Sequence, residues 1–324
     1  MESDKYLAAN AVSDGGQSST RFELGNDLTL NANLGGGIAG ATCGNNLKET
    51  GETCDGTDLN SQTCATQLGV GYTGTLSCNA DCLSFNTSAC TYQIPTSGLV
   101  GYWKFDDGSG TSASDSSGNG YTGTLYNGAS WTSGKVNGAL NFDSSLISAV
   151  DQPLPSLAAS SISISLWVYR TTLPMDGWWD ALASRWYWSG ITARQYQLVL
   201  ASPEVMSPYT SEVNWMVSTD CSNTPNIWSV TTISLNTWTH ILVTYDKTTG
   251  VANIYINGQL DKTGSFGTAG LCSNLGSYPQ QVGAKRDSIG GALNQPYGGK
   301  IDEVAVYNRA LTADEALAIY NGQK

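Results

Sequence analysis

Residues 161–169 read Ser-Ile-Ser-Ile-Ser-Leu-Trp-Val-Tyr, and this stretch decides the fold class. Ile162, Ile164, Leu166 and Val168 alternate with serine and aromatic residues. Because successive side chains of a strand point to opposite faces, this alternation predicts a strand with one face on a core.

Two further segments, 238–245 and 251–256, predict an antiparallel pair, and Asn257-Gly258 after them is a type I′ turn signal. The composition agrees, because the chain is 13% charged and has 37 glycines, as expected for short strands joined by tight turns. Thr312 and Glu315 form a capping-box pattern that predicts one short helix, ending at Gly322. The sequence therefore predicts an all-β protein with a C-terminal helix.

The chain of 324 residues carries a net charge of −12 with only 15 basic residues. Phosphate binding needs a clustered basic surface, so a nucleic-acid partner is excluded. No run of about 18 apolar residues occurs, so no membrane span is expected. Polar residues follow Met1 directly, so we expect that an export signal was removed or that the numbering starts inside a longer precursor.

Eight cysteines indicate an oxidising compartment and hence a secreted or cell-surface protein. Six of them lie close together in a segment too small for a good core: Cys43, Cys54, Cys64, Cys78, Cys82 and Cys90. The sequence leaves their connectivity open. Zinc is the alternative, but only Cys78 and Cys82 have a suitable spacing, and the single histidine, His240, lies in a predicted strand and is interpreted as structural.

The remaining two cysteines, Cys221 and Cys272, flank the predicted central hairpin. If bridged, they would close a loop of about 50 residues, worth roughly 4 kcal/mol in the chain-entropy model.

Composition divides the chain into three predicted domains. Residues 1–42 have strand patterns but too little core, which suggests an assembly element. Residues 43–94 form a disulfide-rich module, and residues 97–324 form the β-sandwich. Asn86, in Asn-Thr-Ser, is a candidate glycosylation site.

Four carboxylates fall within ten positions of the disulfide-rich module: Glu49, Glu52, Asp55 and Asp58. A hard cation such as calcium would relieve their mutual repulsion, which makes them a weaker candidate calcium site. The alternative is that all four face water.

The run from Cys43 to Gly56 resembles the C-G-N-G-x-x-E-x-G-E-x-C-D-G repeats of extracellular bacterial, archaeal and metalloprotease accessory regions. It departs from them at Asn46, where glycine is usual. The resemblance implies a spacer or a small recognition module.

Five blocks resemble, in order, those of LamG-like domains of the concanavalin A-like lectin/glucanase superfamily. They are Gly-Leu-Val-Gly-Tyr-Trp-Lys-Phe-Asp-Asp-Gly-Ser-Gly at 98–110, Asp-Ser-Ser-Gly-Asn-Gly-Tyr-Thr-Gly at 115–123, Gly-Lys-Val-Asn-Gly-Ala-Leu-Asn-Phe at 134–142, Trp-Thr-His at 238–240, and Gly-Lys-Ile-Asp-Glu-Val-Ala-Val-Tyr-Asn-Arg-Ala-Leu at 299–311. The resemblance implies a two-sheet antiparallel jelly roll.

Asp302 is expected to share a strand face with Val304 and Val306, where a carboxylate needs a partner. The resemblance implies a structural calcium ion held by Asp302 together with Asp115 and Asn119 of the 115–120 loop. The alternative is that Asp302 caps backbone amides.

A glycosidase of this fold needs two carboxylates about 5 to 9 Å apart. Asp302 and Glu303 are adjacent in a strand and are expected to point to opposite faces. We therefore predict no catalytic residue and no enzymatic activity.

An aromatic cluster supplies the candidate ligand-binding residues, whose rings could stack on sugars or on a partner chain: Trp178, Trp179, Trp186, Tyr187 and Trp188. The alternative is that members such as Trp186 and Trp188 pack into the sandwich.

The sequence thus favours a secreted or cell-surface adhesion protein that binds carbohydrate or an extracellular protein, stabilised by calcium. The alternative is a subunit of an extracellular filament or surface layer, which binds copies of itself through residues 1–42. A glycoside hydrolase is the least favoured hypothesis.

Overall fold

The computed structural model describes residues 9–13, 16–20, 42–173, 179–187, 194–201, 211–219, 221, 223–272, 278–288 and 291–324. Trp178 and Trp188 lie outside the described residues. The strands are β1 (Ala9–Ser13), β2 (Gly16–Thr20), β3 (Tyr72–Gly74), β4 (Ser77–Cys78), β5 (Phe85–Asn86), β6 (Cys90–Tyr92), β7 (Leu99–Trp103), β8 (Ser112–Ala113), β9 (Gly123–Tyr126), β10 (Ser130–Ser133), β11 (Gly138–Phe142), β12 (Ala149–Gln152), β13 (Ile162–Arg170), β14 (Trp179–Trp186), β15 (Arg194–Ala201), β16 (Glu212–Val217), β17 (Asn226–Thr232), β18 (Trp238–Asp246), β19 (Val251–Ile256), β20 (Gln259–Ser265), β21 (Gln280–Val282), β22 (Lys285–Arg286), β23 (Leu293–Asn294) and β24 (Gly299–Tyr307); the helices are α1 (Cys64–Leu68) and α2 (Ala313–Gln323).

The chain divides into two compact units. The smaller unit is Met1–Ser61 with Leu76–Asn86, and the larger is Gln62–Thr75 with Thr87–Lys324. The smaller unit contains the hairpins β1–β2 and β4–β5 and the disulfides Cys43–Cys82 and Cys54–Cys78. Cys64–Cys90 lies in the larger unit. This division differs from the boundary that composition suggests near residue 94, and the predicted domains stay predictions.

Two antiparallel sheets of described strands make up the sandwich of the larger unit. The first has the order β10-β11-β24-β13-β18-β19-β20, with β7 also paired to β24. The second has the order β17-β16-β15-β14-β21-β12-β9-β8. The predicted all-β, two-sheet jelly-roll class is confirmed.

The core lies between the inner faces of these sheets. From β13 it takes Ile162, Ile164, Leu166 and Val168, the residues whose alternation predicts this strand. In the same core the Arg170 guanidinium meets the Asp180 carboxylate at 2.7 Å, and both side chains are buried. This ion pair joins β13 of the first sheet to β14 of the second.

A β-bulge in β24 changes the expected direction of two carboxylates. The pairing with β13 shifts between Ser165 and Trp167, and Glu303 takes a left-handed φ of 55°. Val304 therefore joins the core, whereas Asp302 pairs with Trp167 on the outer face. The expectation that Asp302 shares a face with Val304 and Val306 is wrong, because one extra residue at the bulge resets the alternation.

Helix α2 packs on the outer face of the first sheet. Thr312 and Glu315 make the predicted capping box, and the Tyr320 ring stacks on Trp167 at 5.7 Å. Gly322 lies inside the helix rather than beyond its end. The Tyr92 ring packs where a side chain would stand, since a Cβ on Gly322 would meet Tyr92 Cγ at 2.1 Å. The helix ends one residue later, at Gln323.

Local predictions at other places agree with the structure. Asn257 and Gly258 have φ values of 50° and 77°, as a type I′ turn requires. Cys221 and Cys272 form a disulfide. His240 is buried with its Nε2 2.8 Å from the Ser165 hydroxyl, and burial lowers the pKa of this imidazole to about 3.

No helix among the described residues is both long enough and apolar enough to cross a membrane.

Candidate functional site

The outer face of the second sheet carries a row of polar side chains. Ser184 of β14 pairs with Gln197 of β15 and with Gln281 of β21, so the three side chains lie side by side on this face. Gln195 and Asn214 lie on the same face, on β15 and β16. We call these five residues the amide face.

The amide face contains buried polar atoms that have no hydrogen-bond partner among the described residues. They are Ser184 Oγ, Gln195 Oε1, Asn214 Oδ1 and Gln281 Oε1. An unpaired buried polar atom costs on the order of 1–3 kcal/mol, so native sheets rarely keep four on one face. All five side chains of the amide face are buried, with exposures of 0 to 4%, so they are not open to a ligand in this structure.

Two tryptophans stand on the same face at its half-exposed end. Trp179 and Trp228 stack with ring centroids 5.5 Å apart and an interplanar angle of 28°. Trp228 is opposite Asn214 in the register, and the Asn214 Nδ2 donates to the exposed Asn226 at 3.1 Å. We call Trp179 and Trp228 the tryptophan platform, since their rings offer an aromatic surface bordered by amides.

The other described members of the predicted aromatic cluster are placed differently. Trp186 is 5% exposed and lies under the Arg194 guanidinium, at 5.1 Å. Tyr187 is 1% exposed, and its hydroxyl donates to Pro279 O at 2.7 Å and accepts from Gln281 Nε2 at 3.0 Å. Neither ring has a face open to a ligand in this structure.

Sequence reasoning missed Trp228. A signal was present, because residues 226–229 read Asn-Ile-Trp-Ser and Ile227 alternates with polar and aromatic neighbours. The segment is short, however, and Trp228 lies 49 positions after Trp179, so the sequence offers no reason to pair them.

The 115–120 loop and Asp302 are the parts of the predicted calcium site. Asp115 accepts hydrogen bonds from three backbone amides and the Ser117 hydroxyl, at 2.8 to 3.0 Å. The Asn119 amide donates to the Val100 carbonyl at 2.9 Å. Asp302 instead caps the amides of Lys135 and Val136, both at 2.9 Å, and no hydrogen bond among the described residues joins it to the loop.

The Asp302 side chain is buried, and its Oδ1 has no hydrogen-bond partner among the described residues. Burial, together with the charge of neighbouring Glu303, raises the pKa of the Asp302 carboxyl to about 8. Calcium at Asp115, Asn119 and Asp302 therefore stays a prediction of the sequence.

The four acidic residues of the smaller unit each accept a backbone N–H. The donors are Thr42 to Glu49 at 2.5 Å, Glu49 to Glu52 at 2.8 Å, Gly44 to Asp55 at 2.7 Å and Lys48 to Asp58 at 2.9 Å. The hydrogen bond from the Lys48 amide lowers the pKa of the Asp58 carboxyl.

Of these acidic residues, Glu52 and Asp55 have oxygens within 4.8 Å of each other and of the Cys82 sulfur. That sulfur is bonded to Cys43 and is not a thiolate. Glu52 and Asp55 would supply only some of the six to eight oxygens that calcium takes, and calcium at this cluster stays a prediction. Asn86 is half-buried in β5, and its glycosylation stays a prediction.

Comparison with known proteins places this sandwich in a family. The sequence model described as "Concanavalin A-like lectin/glucanases superfamily" matches residues 143–316, more than half of the chain. Serum amyloid P-component of Bos taurus is 34% identical over 88 residues, which are 26% of this chain and 37% of that protein.

Solved structures show the same fold at low identity. The binding domain of Paraclostridial Mosquitocidal Protein 1 superposes with a TM-score of 0.53 at 18% identity, covering 69% of this chain and 52% of that one. The receptor binding domain of botulinum neurotoxin D gives 0.50 at 12% identity, covering 70% and 53%. The chain thus spans about a third to a half of the relatives it matches. By the family match, this protein belongs to the concanavalin A-like lectin/glucanases superfamily.

Proposed function

We propose that the protein is a secreted or cell-surface binding protein whose sandwich holds a carbohydrate through the tryptophan platform. The observation that carries the proposal is the half-exposed stack of Trp179 on Trp228, beside the exposed amide of Asn226. Aromatic faces take the apolar side of a sugar ring, and amides take its hydroxyls.

The described disulfides support an extracellular location, because such bonds persist in oxidising compartments. Two structural neighbours are binding domains of toxins, but a likeness at this identity bears on fold alone. The proposal therefore rests on the tryptophan platform.

A glycan array, followed by calorimetry with the best glycan, tests the platform. We expect Trp179→Ala and Trp228→Ala each to weaken binding about tenfold, since an aromatic contact in a binding centre is worth about 1–2 kcal/mol. Trp238→Ala is the matched control, because Trp238 is a half-exposed tryptophan that packs on Tyr169 in the first sheet. Equal losses in all three variants, or wild-type binding in both platform variants, would refute the site.

A filament or surface-layer subunit is a second candidate, favoured by one observation. β1 and β2 pair antiparallel over five residues each and pair with no other described strand. A lone hairpin is marginal and has two free edges for further strands. Deleting residues 1–42 should leave a folded monomer, and a full-length chain that stays monomeric at high concentration in light scattering would rule assembly out.

A further inference from the structure

A cleft of about 590 Å³ opens on the outer face of the first sheet, away from the tryptophan platform. Its walls include Tyr92, Tyr102 and Gln323, and the charged residues that line it are Lys104, Asp106 and Glu303. Gly322 gives the cleft its shape, because only a residue without a side chain lets the Tyr92 ring lie against the end of α2.

Glu303 reaches the cleft because of the bulge in β24. The side chain is 2% exposed, and its Oε2 accepts hydrogen bonds from Gln323 Nε2 at 2.6 Å and from the Tyr102 hydroxyl. Its Oε1 accepts none from any described residue, although Glu303 lines the cleft. A carboxylate fixed in this way has one oxygen ready for a donor from outside the protein.

The charges around the cleft favour a cation. Asp106 adds a second carboxylate to the lining, and Lys104 is the only basic residue among the described residues there. The Lys104 ammonium lies 5.6 Å from the centre of the Tyr102 ring, so an ammonium already rests on one wall. The chain as a whole carries a net charge of −12, which adds to the attraction.

We propose that this cleft binds a primary ammonium group, presented by a free amine or by a lysine side chain. The ammonium donates to Glu303 Oε1, while the rings of Tyr92 and Tyr102 cover the carbon atoms next to it. Lys104 competes with the ligand, because two like charges share the same small space.

Titration calorimetry with Nα-acetyl-lysine methylamide tests the assignment, with the Nε-acetylated compound as the uncharged control ligand. We expect the first to bind and the second not to. Glu303→Gln should weaken binding about tenfold or more, as for a lost charge-assisted hydrogen bond. Lys104→Ala should strengthen it several-fold, and Asp314→Asn, which removes a charge from the exposed first turn of α2, should leave it unchanged.

The Glu303→Gln and Lys104→Ala variants are expected to change the binding affinity in opposite directions. A misfolded Glu303→Gln protein would lose binding for a trivial reason, but Lys104→Ala would still have to gain. Equal binding of both ligands, no effect of Glu303→Gln in a folded protein, or weaker binding by Lys104→Ala would overturn the proposal. Butylamine distinguishes the sources: equal affinity for it indicates a free amine, and weaker affinity indicates a lysine side chain.

Discussion

Glu303 shows how one backbone angle redirects chemistry in a strand. A non-glycine residue with a φ of 55° is uncommon, and here it accompanies a bulge that puts Asp302 and Glu303 on one face. Two adjacent carboxyls then lie buried together. Burial raises the pKa of Asp302 to about 8 and that of Glu303 to about 7.

These raised pKa values predict a pH dependence of stability. The folded protein holds protons at Asp302 and Glu303 that the unfolded chain releases near pH 4. The stabilisation that this proton binding gives the folded state is therefore complete below pH 4 and is lost as the pH rises through about 7 and 8. We expect the free energy of unfolding in urea to fall between pH 5 and pH 8.5, and Glu303→Gln to make that fall smaller.

Asp143→Asn is the control for this measurement. Hydrogen bonds from Ser145 lower the pKa of the Asp143 carboxyl below its usual value of 3.8, so this group stays ionised throughout the range. An unchanged slope in Glu303→Gln, or an equal change in Asp143→Asn, would contradict the assignment.

At the scale of the elements, β13 and β14 are joined through the core by charge as well as by apolar packing. Arg170 is fully buried and Asp180 is 1% exposed, and Arg170 also donates to the Ala201 carbonyl at 3.3 Å. A buried pair costs desolvation when it forms, but losing one partner leaves the other charge buried without its counterion.

We therefore expect Asp180→Asn to lower the free energy of unfolding by about 3 kcal/mol or more. The apolar double variant Arg170→Met/Asp180→Leu should recover most of that loss, because it removes both charges. Urea unfolding monitored by tryptophan fluorescence measures both. A loss below about 1 kcal/mol in the single variant would show that solvent reaches the pair.

At the scale of the whole molecule, backbone amides donate hydrogen bonds to the carboxylates that the sequence predicts to bind calcium. Asp115 accepts N–H groups from β7 and from its own loop, and the four carboxylates of the smaller unit each accept a nearby backbone N–H. A loop carboxylate with such donors is stable without a cation. Calcium binding stays a prediction of the sequence, and the structure offers a different account of the same residues.

Thermal unfolding in calcium and in EDTA decides between these accounts. A calcium site filled at 100 times its Kd would add about 2.7 kcal/mol and raise Tm by several degrees. From the satisfied carboxylates we expect the same Tm in both buffers. A higher Tm in calcium that disappears in Asp115→Asn would restore the sequence-based site.

The sequence alone determined the fold class, the β13 alternation, the capping box of α2 and the type I′ turn at Asn257-Gly258, because each depends on neighbours within a few residues. Only the tertiary structure decided which side chains meet. The bulge at Glu303 depends on how β24 pairs with β13, and Trp179 reaches Trp228 only after β14 to β17 assemble into one sheet. Local periodicity cannot encode a register shift imposed by a partner strand more than a hundred residues away, and that shift opened the cleft to Glu303.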